Sequence, residues 1–215
     1  MPTHQNALRP LCVVINGPSA AGKSTLTTII QDRAEVPLLR FGLDELFRML
    51  PDHWGGGLPN ARHSDRGFRF VDVDEANFVR RISCGPDGRL MLRAMNAAIT
   101  AMLQAGQSVI VDGQAFEYDI NKDLEERLRE LKSAGRATIA IVELKVSDSA
   151  LTDRHRRHQH PTGLSLFHNS LPSQSSSPDL VIRTTALSAG QVADQLWDWL
   201  VPRYPALSTG PGELT

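Results

Sequence analysis

The sequence predicts an α/β fold in which a five-stranded parallel sheet carries helices on both faces. Two observations point to it. Short apolar runs rich in β-branched residues alternate with longer stretches of helical periodicity, the pattern of βαβ crossovers and therefore of a mostly parallel sheet. The first of those runs, LCVVI at 11–15, is apolar at every position, which suits a strand buried on both faces.

The elements follow in order. Strand 11–15 runs into a loop of Gly, Ser and Ala, and a helix is expected over 23–33. Strand 36–41 is cut short at its start by Pro37, and a brief helix, 43–50, closes at Pro51. Residues 52–84 change character: DHWGGGLPN is turn-rich, and the following segment alternates apolar and polar positions. They read as an inserted hairpin or irregular excursion. A helix over 87–105 has Leu90, Met95, Ala98, Ile99 and Met102 as its expected apolar face, with Gly106 after its end. Strand 108–112, helix 123–133, strand 136–146 and a basic helix 148–158 come next. Residues 159–178 are rich in Pro, Ser and Asn and read as a loop. Strand 180–183 and helix 188–200 complete the series. Residues 1–10 read as a disordered lead-in, 11–201 as a single domain, and 202–215 as a frayed tail.

Composition narrows the function classes. The 215 residues suit one domain. Lys and Arg total 23 against 24 Asp and Glu, a net charge of −1, without the basic footprint of a nucleic-acid binder. Two cysteines, Cys12 and Cys84, suggest neither a disulfide framework nor a cysteine metal site. No apolar run is long enough for a membrane span or a signal core. A cytoplasmic protein is the expectation.

The strongest signal is Gly17-Pro18-Ser19-Ala20-Ala21-Gly22-Lys23-Ser24, a complete G-x-x-x-x-G-K-[ST] motif between a strand and a helix. Gly17 and Gly22 permit backbone torsions that a side chain would block. Ser19, Ala20 and Ala21 are small, so the loop amides can wrap phosphate oxygens, and the helix N-terminus adds positive partial charge. Lys23 is expected on the β- and γ-phosphates, Ser24 on Mg²⁺, and Thr25 near the α-phosphate. The cofactors implied are ATP and Mg²⁺.

Ligands of such sheets bind at the carboxyl ends of the strands, and two carboxylates are predicted there. Asp44, after the second strand, could accept the proton of an acceptor hydroxyl as its oxygen attacks phosphorus; the plainer reading is a helix N-cap. Asp112 ends the third strand. It could hold Mg²⁺ through water or hydrogen-bond the acceptor, or be a turn residue of Asp112-Gly113.

These segments together resemble the chloramphenicol phosphotransferase family of P-loop kinases. The likeness runs from NG-x-S-x-AGKS (16–24) through FGLD (41–44), SCGPD (83–87) and the Ala-rich helix ending in Ala105-Gly106 to VIVD (109–112), about residues 11–158. It implies a P-loop nucleotide-kinase-like fold with a basic helical lid, and transfer of the ATP γ-phosphate to an antibiotic hydroxyl. It gives Asp44 the role of catalytic base. Gly113 stands where the family often has a second acid.

The basic helix, Asp153 to His160, resembles the lid of small-molecule kinases, whose arginines stabilise charge on the transferring phosphoryl group. Arg154 matches the first lid arginine; the second falls on Arg157 or His158. A solvated face, an RNA-contacting patch and a metal site of His155, His158 and His160 are the rival readings. In the insertion, His53, Trp54, Arg62, Arg66 and Arg69 are candidates to line an acceptor pocket, as are Phe167 and His168 later; Trp54 serves equally as an anchor on the core. The expected partner is a small-molecule hydroxyl acceptor, with no membrane, nucleic acid disfavoured and a homo-oligomer left open. Two other activities fit the motif: a kinase of polynucleotide 5′ ends, and a nucleotide-binding regulatory protein.

Overall fold

The computed structural model describes residues 9–55, 61–77, 79–113, 117–158, 163–171, 175 and 177–209, without the side chains of 155–158. The expected lead-in therefore falls outside it except for Arg9 and Pro10. Pro10 is buried, and its carbonyl accepts the Thr138 N–H at 2.9 Å.

Five strands form one sheet: β1 (Leu11–Asn16), β2 (Leu39–Gly42), β5 (Val109–Asp112), β6 (Thr138–Lys145) and β7 (Leu180–Arg183), in the order β2-β5-β1-β6-β7. Every pairing is parallel. β1 is central and buried at every position. Its odd residues Leu11, Val13 and Ile15 join one core with Leu26 and Ile30 of α1 (Lys23–Arg33) and Val192 and Leu196 of α7 (Ala189–Leu200). Its even residues Cys12 and Val14 join the other, with Leu92 and Ile99 of α3 (Pro86–Gln104) and Leu124 and Leu128 of α4 (Tyr118–Ser133). The unbroken apolar run is thus a strand with helices on both faces. Burial pushes the Cys12 thiol up to about 12, as befits a core residue.

The insertion contains an antiparallel hairpin, β3 (Phe68–Asp74) and β4 (Val79–Cys84), after α2 (Leu43–Met49) and a single 3-10 turn, Asp52–Trp54. Phe68 carries the hairpin into the core, edge-on to Phe47 with ring centroids 4.9 Å apart.

Four expectations are corrected. The buried stripe of α3 is Leu92, Met95, Asn96, Ile99 and Leu103, while Leu90 is 67 % exposed. Both stripes have helical spacing, but Asn96 settles the rotation by donating to the Ile120 carbonyl and to Asp123, each at 3.0 Å. Helix α4 starts at Tyr118 rather than 123, because Ile120 extends its stripe by one turn. The expected loop 159–178 contains a helix, α6 (Leu164–Ser170), which starts after Gly163 at φ 62°. Beyond α5 (Asp148–His158) the Pro- and Ser-rich flanks hide that short apolar stretch. The expected frayed tail is packed over 202–209, and its remainder, 210–215, lies outside the described residues: Tyr204, Ala206 and Leu207 are buried, and the Leu207 carbonyl accepts the Glu35 N–H at 2.8 Å. It forms a short helix, α8 (Ala206–Thr209).

Among the described residues no helix is long and apolar enough to cross a membrane. Because Leu207 is fully enclosed, Leu207→Ala is expected to cost about 2–5 kcal/mol. Urea denaturation measures it, and a loss below about 0.5 kcal/mol would restore the picture of a loose tail.

Candidate active site

The parallel register lines up the strand ends. Gly42 of β2 pairs with Asp112 of β5, which pairs with Ile15 of β1, which pairs with Val142 of β6. The chain leaves this row at the phosphate loop, at Asp44 and at Gly113. A cavity of about 570 Å³ opens there.

Ser19, Ala20, Ala21, Gly22, Lys23, Ser24 and Thr25 line it. Gly17 has φ 145°, and a Cβ there would lie 2.8 Å from the Leu144 carbonyl oxygen, so only glycine fits against β6. Gly22 enters α1 at φ 97° with no side-chain cap. The first amides of α1 therefore have no side-chain acceptor in the cap position, and they carry the positive end of the helix dipole. Ala20 holds φ 64° without being glycine.

Lys23 donates to the carbonyls of Gly17 at 2.9 Å and Pro18 at 2.8 Å. Burial pushes its ammonium down to about 8, opposed by the nearby charges of Asp112 and Asp44. Both carboxylates line the cavity with Lys23. Asp44 is in the first turn of α2 and makes no cap: the cap residue is Gly42, with no side-chain hydrogen bond. Asp112 is buried and ion-paired with Arg40.

Arg154 also lines the cavity, but its guanidinium binds protein rather than reaching across. It donates to the carbonyls of Ala20 at 3.4 Å and Ala21 at 3.2 Å, and to the Thr184 hydroxyl at 3.2 Å and carbonyl at 2.7 Å. Bonds to Ala20 and Ala21 brace the loop where its backbone is left-handed. Arg157 and His158 stand on the last turn of α5, but their side chains, with those of His155 and His160, lie outside the described residues.

Two further groups of residues complete the lining. Thr184, Leu187, Ala189 and Val192 come from the end of β7 and the start of α7. Leu43, Phe47, Ile82, Leu164 and His168 come from α2, the hairpin and α6. Trp54 and Arg66, expected in an acceptor pocket, are not among the lining residues. Arg66 pairs with Asp87 at 2.6 Å and sits 5.5 Å over the Trp54 ring, bracing the insertion against the start of α3. The insertion reaches the cavity through Ile82 instead. His168 is buried, and its imidazole is pushed down to about 3, first by burial and then by the Lys23 ammonium.

A family model, chloramphenicol phosphotransferase-like protein, matches residues 11–200. The chain belongs to the chloramphenicol phosphotransferase-like family. The match reaches past 158, where the motif likeness stops, and takes in α6 and α7. Membership makes the chain a P-loop kinase and a nucleotide-binding phosphotransferase. No curated protein matches. Among solved structures it is similar to a Sinorhizobium meliloti gluconokinase, with 20 % identity over 94 % of this chain and 98 % of that one and a TM-score of 0.57. It is also similar to the Mycobacterium tuberculosis APS kinase CysC in complex with AMPPNP and APS (16 %, 89 % and 98 %, TM-score 0.56). A third is a Deinococcus radiodurans tunicamycin resistance protein (17 %, 89 % and 96 %, TM-score 0.55). At these identities the likeness is one of fold.

Two residues at or next to the cavity have weak or no sequence signals. Arg40 reads as an ordinary strand residue, and only the β2–β5 pairing brings it to Asp112. His168 reads as one candidate among several until α6 is seen to carry it to the cavity.

His168 also produces a pH dependence. Unfolded, its imidazole titrates near the ordinary 6.5; folded, it resists protonation until about 3. Between these values the unfolded chain holds one more proton, so stability falls as pH drops, by at most about 1.4 kcal/mol per pH unit. Denaturation between about pH 7 and pH 4 should show this slope, flattened in His168→Gln. Identical slopes in the two proteins would mean that the imidazole is not held neutral.

Proposed function

We propose that this kinase transfers the γ-phosphate of ATP to a hydroxyl of a small molecule with an apolar body, an antibiotic or similar natural product. The observation that carries the proposal is that Asp44 lines one cavity with Lys23 and Ser24, bordered by Leu43, Phe47, Ile82 and Leu164. A carboxylate between a phosphate site and an apolar wall suits an acceptor that is mostly apolar and presents one hydroxyl.

The residues fit both implied groups. An uncapped helix N-terminus and a half-buried lysine suit a polyphosphate. The Ser24 hydroxyl and Asp112 carboxylate are hard oxygen donors on one cavity, and Mg²⁺ takes one or two such protein ligands beside substrate oxygens and water. Among the described residues no cluster of three or more His, Cys, Asp or Glu is placed to hold a metal; the side chains of the expected histidine site at 155, 158 and 160 lie outside them. When bound, Mg²⁺ would neutralise charge on the phosphate oxygens.

In this scheme Lys23 and the loop amides hold the phosphates. Asp44 accepts the hydroxyl proton while the acceptor oxygen bonds to the γ-phosphorus, and the bond to the β-bridging oxygen breaks to release ADP. Arg154 keeps the Ala20–Ala21 backbone in place. Thr184, Leu187, Ala189 and Val192 form the surface offered to the nucleoside. Apolar walls limit water at the reacting centre, which disfavours plain hydrolysis. The complex of the similar APS kinase with AMPPNP supports an adenine nucleotide, and the similar tunicamycin resistance protein supports an antibiotic acceptor.

Hydroxylated antibiotics, nucleosides and 5′-hydroxyl oligonucleotides incubated with labelled ATP test this. Label on a small apolar alcohol is expected; label only on oligonucleotide ends would overturn it. Asp44→Asn should retain ATP affinity and lose ~10²–10⁴-fold in transfer, and unchanged turnover removes the base role. Lys23→Ala should weaken both binding and transfer.

A further inference from the structure

Arg40 is not among the residues lining the cavity and has no part in the scheme above. One guanidinium nitrogen pairs with Asp112, and Nε stands 3.0 Å from Oε1 of Glu45, in the first turn of α2. The Arg40 side chain is 22 % exposed and that of Asp112 4 %. Gly42 makes room for the cluster: a Cβ there would lie 2.5 Å from the Asp112 carbonyl oxygen and 3.0 Å from Oε2 of Glu45.

A second cation stands close to the same carboxylate: both side chains line one cavity, and a Cβ on Gly113, the residue after Asp112, would lie 3.0 Å from Cε of Lys23. The Lys23 ammonium nevertheless donates to the Gly17 and Pro18 carbonyls. Away from water, attraction between opposite charges is several-fold stronger than at the surface. A buried carboxylate without a fixed partner therefore draws in any flexible ammonium nearby. Arg40 is planar and held from behind by Glu45, whereas Lys23 has a flexible four-carbon stem. The arginine takes the carboxylate.

We infer that Arg40 is a positioning residue: by holding the Asp112 carboxylate it prevents Lys23 from pairing with that carboxylate and keeps the ammonium available to nucleotide phosphates. This rests on Lys23 binding phosphate, as proposed above. The predicted competition involves one carboxylate and two cations, so removal of the carboxylate should suppress the defect caused by loss of Arg40.

The test is calorimetric titration with ATP in EDTA, which requires neither acceptor nor metal. Arg40→Met keeps an unbranched apolar stem and removes the guanidinium; it should weaken binding by ~10-fold, the scale of one charge-assisted hydrogen bond. Asp112→Asn should recover most of that loss in the Arg40→Met background, and gain no more than about 2-fold in the wild-type background. Wild-type affinity in Arg40→Met overturns the inference, as do equal gains from Asp112→Asn in both backgrounds, since equal gains mean charge removal alone. Arg40→Lys, with a cation but no planar fork, is the second variant if Arg40→Met does not fold. The same cycle applies to it, with a smaller loss and the same suppression expected. If the wild type itself fails to bind ATP, the nucleotide reading falls and takes the role of Arg40 with it, an outcome distinct from wild-type binding with an additive cycle.

Discussion

β1 can occupy the middle of the sheet only because all six of its residues are apolar or enclosed, and the geometry of the site depends on that position. With β5 on one side and β6 on the other, its register fixes where those strands end. Ile15 is level with Asp112 on β5 and with Val142 on β6, and Asp112 is level with Gly42 on β2. A one-residue slip would move Asp112 away from the loop and reverse which face each side chain of the slipped strand meets. Two packed cores, one on each face, oppose such a slip.

The cost of this arrangement is electrostatic. A phosphate site needs a cation, and the end of a buried strand is a poor place for one; the fall of Lys23 to about 8 records that penalty. Asp112 and Asp44 partly offset it. Each carboxylate that stabilises the ammonium also competes with phosphate for it, so the carboxylates must be close enough to act through space and yet held by other groups. Arg40 holds Asp112 in this way. Arg154 does the corresponding work on the backbone side. It occupies the Ala20 and Ala21 carbonyls of the phosphate loop and ties them to Thr184.

What was legible in the sequence is what local chemistry dictates. The glycine–lysine loop, the strand–helix alternation and the carboxylates at strand ends follow from residue types at short spacing, and the structure puts Lys23, Ser24, Asp44 and Asp112 on one cavity. What was not legible depends on partners distant in the chain. The pairing of Arg40 with Asp112 spans 72 positions, and that of Arg154 with Ala21 spans 133. The stripe on α3 had two solutions of equal periodicity, and only a contact with α4 chose between them. The tail and α6 were hidden for another reason: Pro, Ser and Asn flanks outweighed a few apolar residues, although Leu207 and Leu164 find burial in the core and the cavity wall. Trp54 had two open readings, because a large aromatic beside glycines can offer a binding surface or an anchor, and its ring stands against Arg66 and His63.

The division of labour among the elements explains why a phosphate loop says so little about the acceptor. The groups proposed to bind phosphate sit on the loop after β1 and on α1, where the register and two cores permit little change. In the proposed scheme the acceptor side is built from α2, the β3–β4 hairpin and α6, which supply Leu43, Phe47, Ile82, Leu164 and His168 to the cavity. Replacing Ile82, Leu164 or His168 would change the shape and polarity of that wall while leaving the Gly42–Asp112–Ile15 row intact. His168 is the polar member of an otherwise apolar group. Held neutral beside Lys23, it adds a hydrogen-bonding edge without a second positive charge. An acceptor bearing its own negative charge would therefore meet the Asp44 carboxylate with no further described cation on that wall, whereas a neutral alcohol meets only groups it can satisfy.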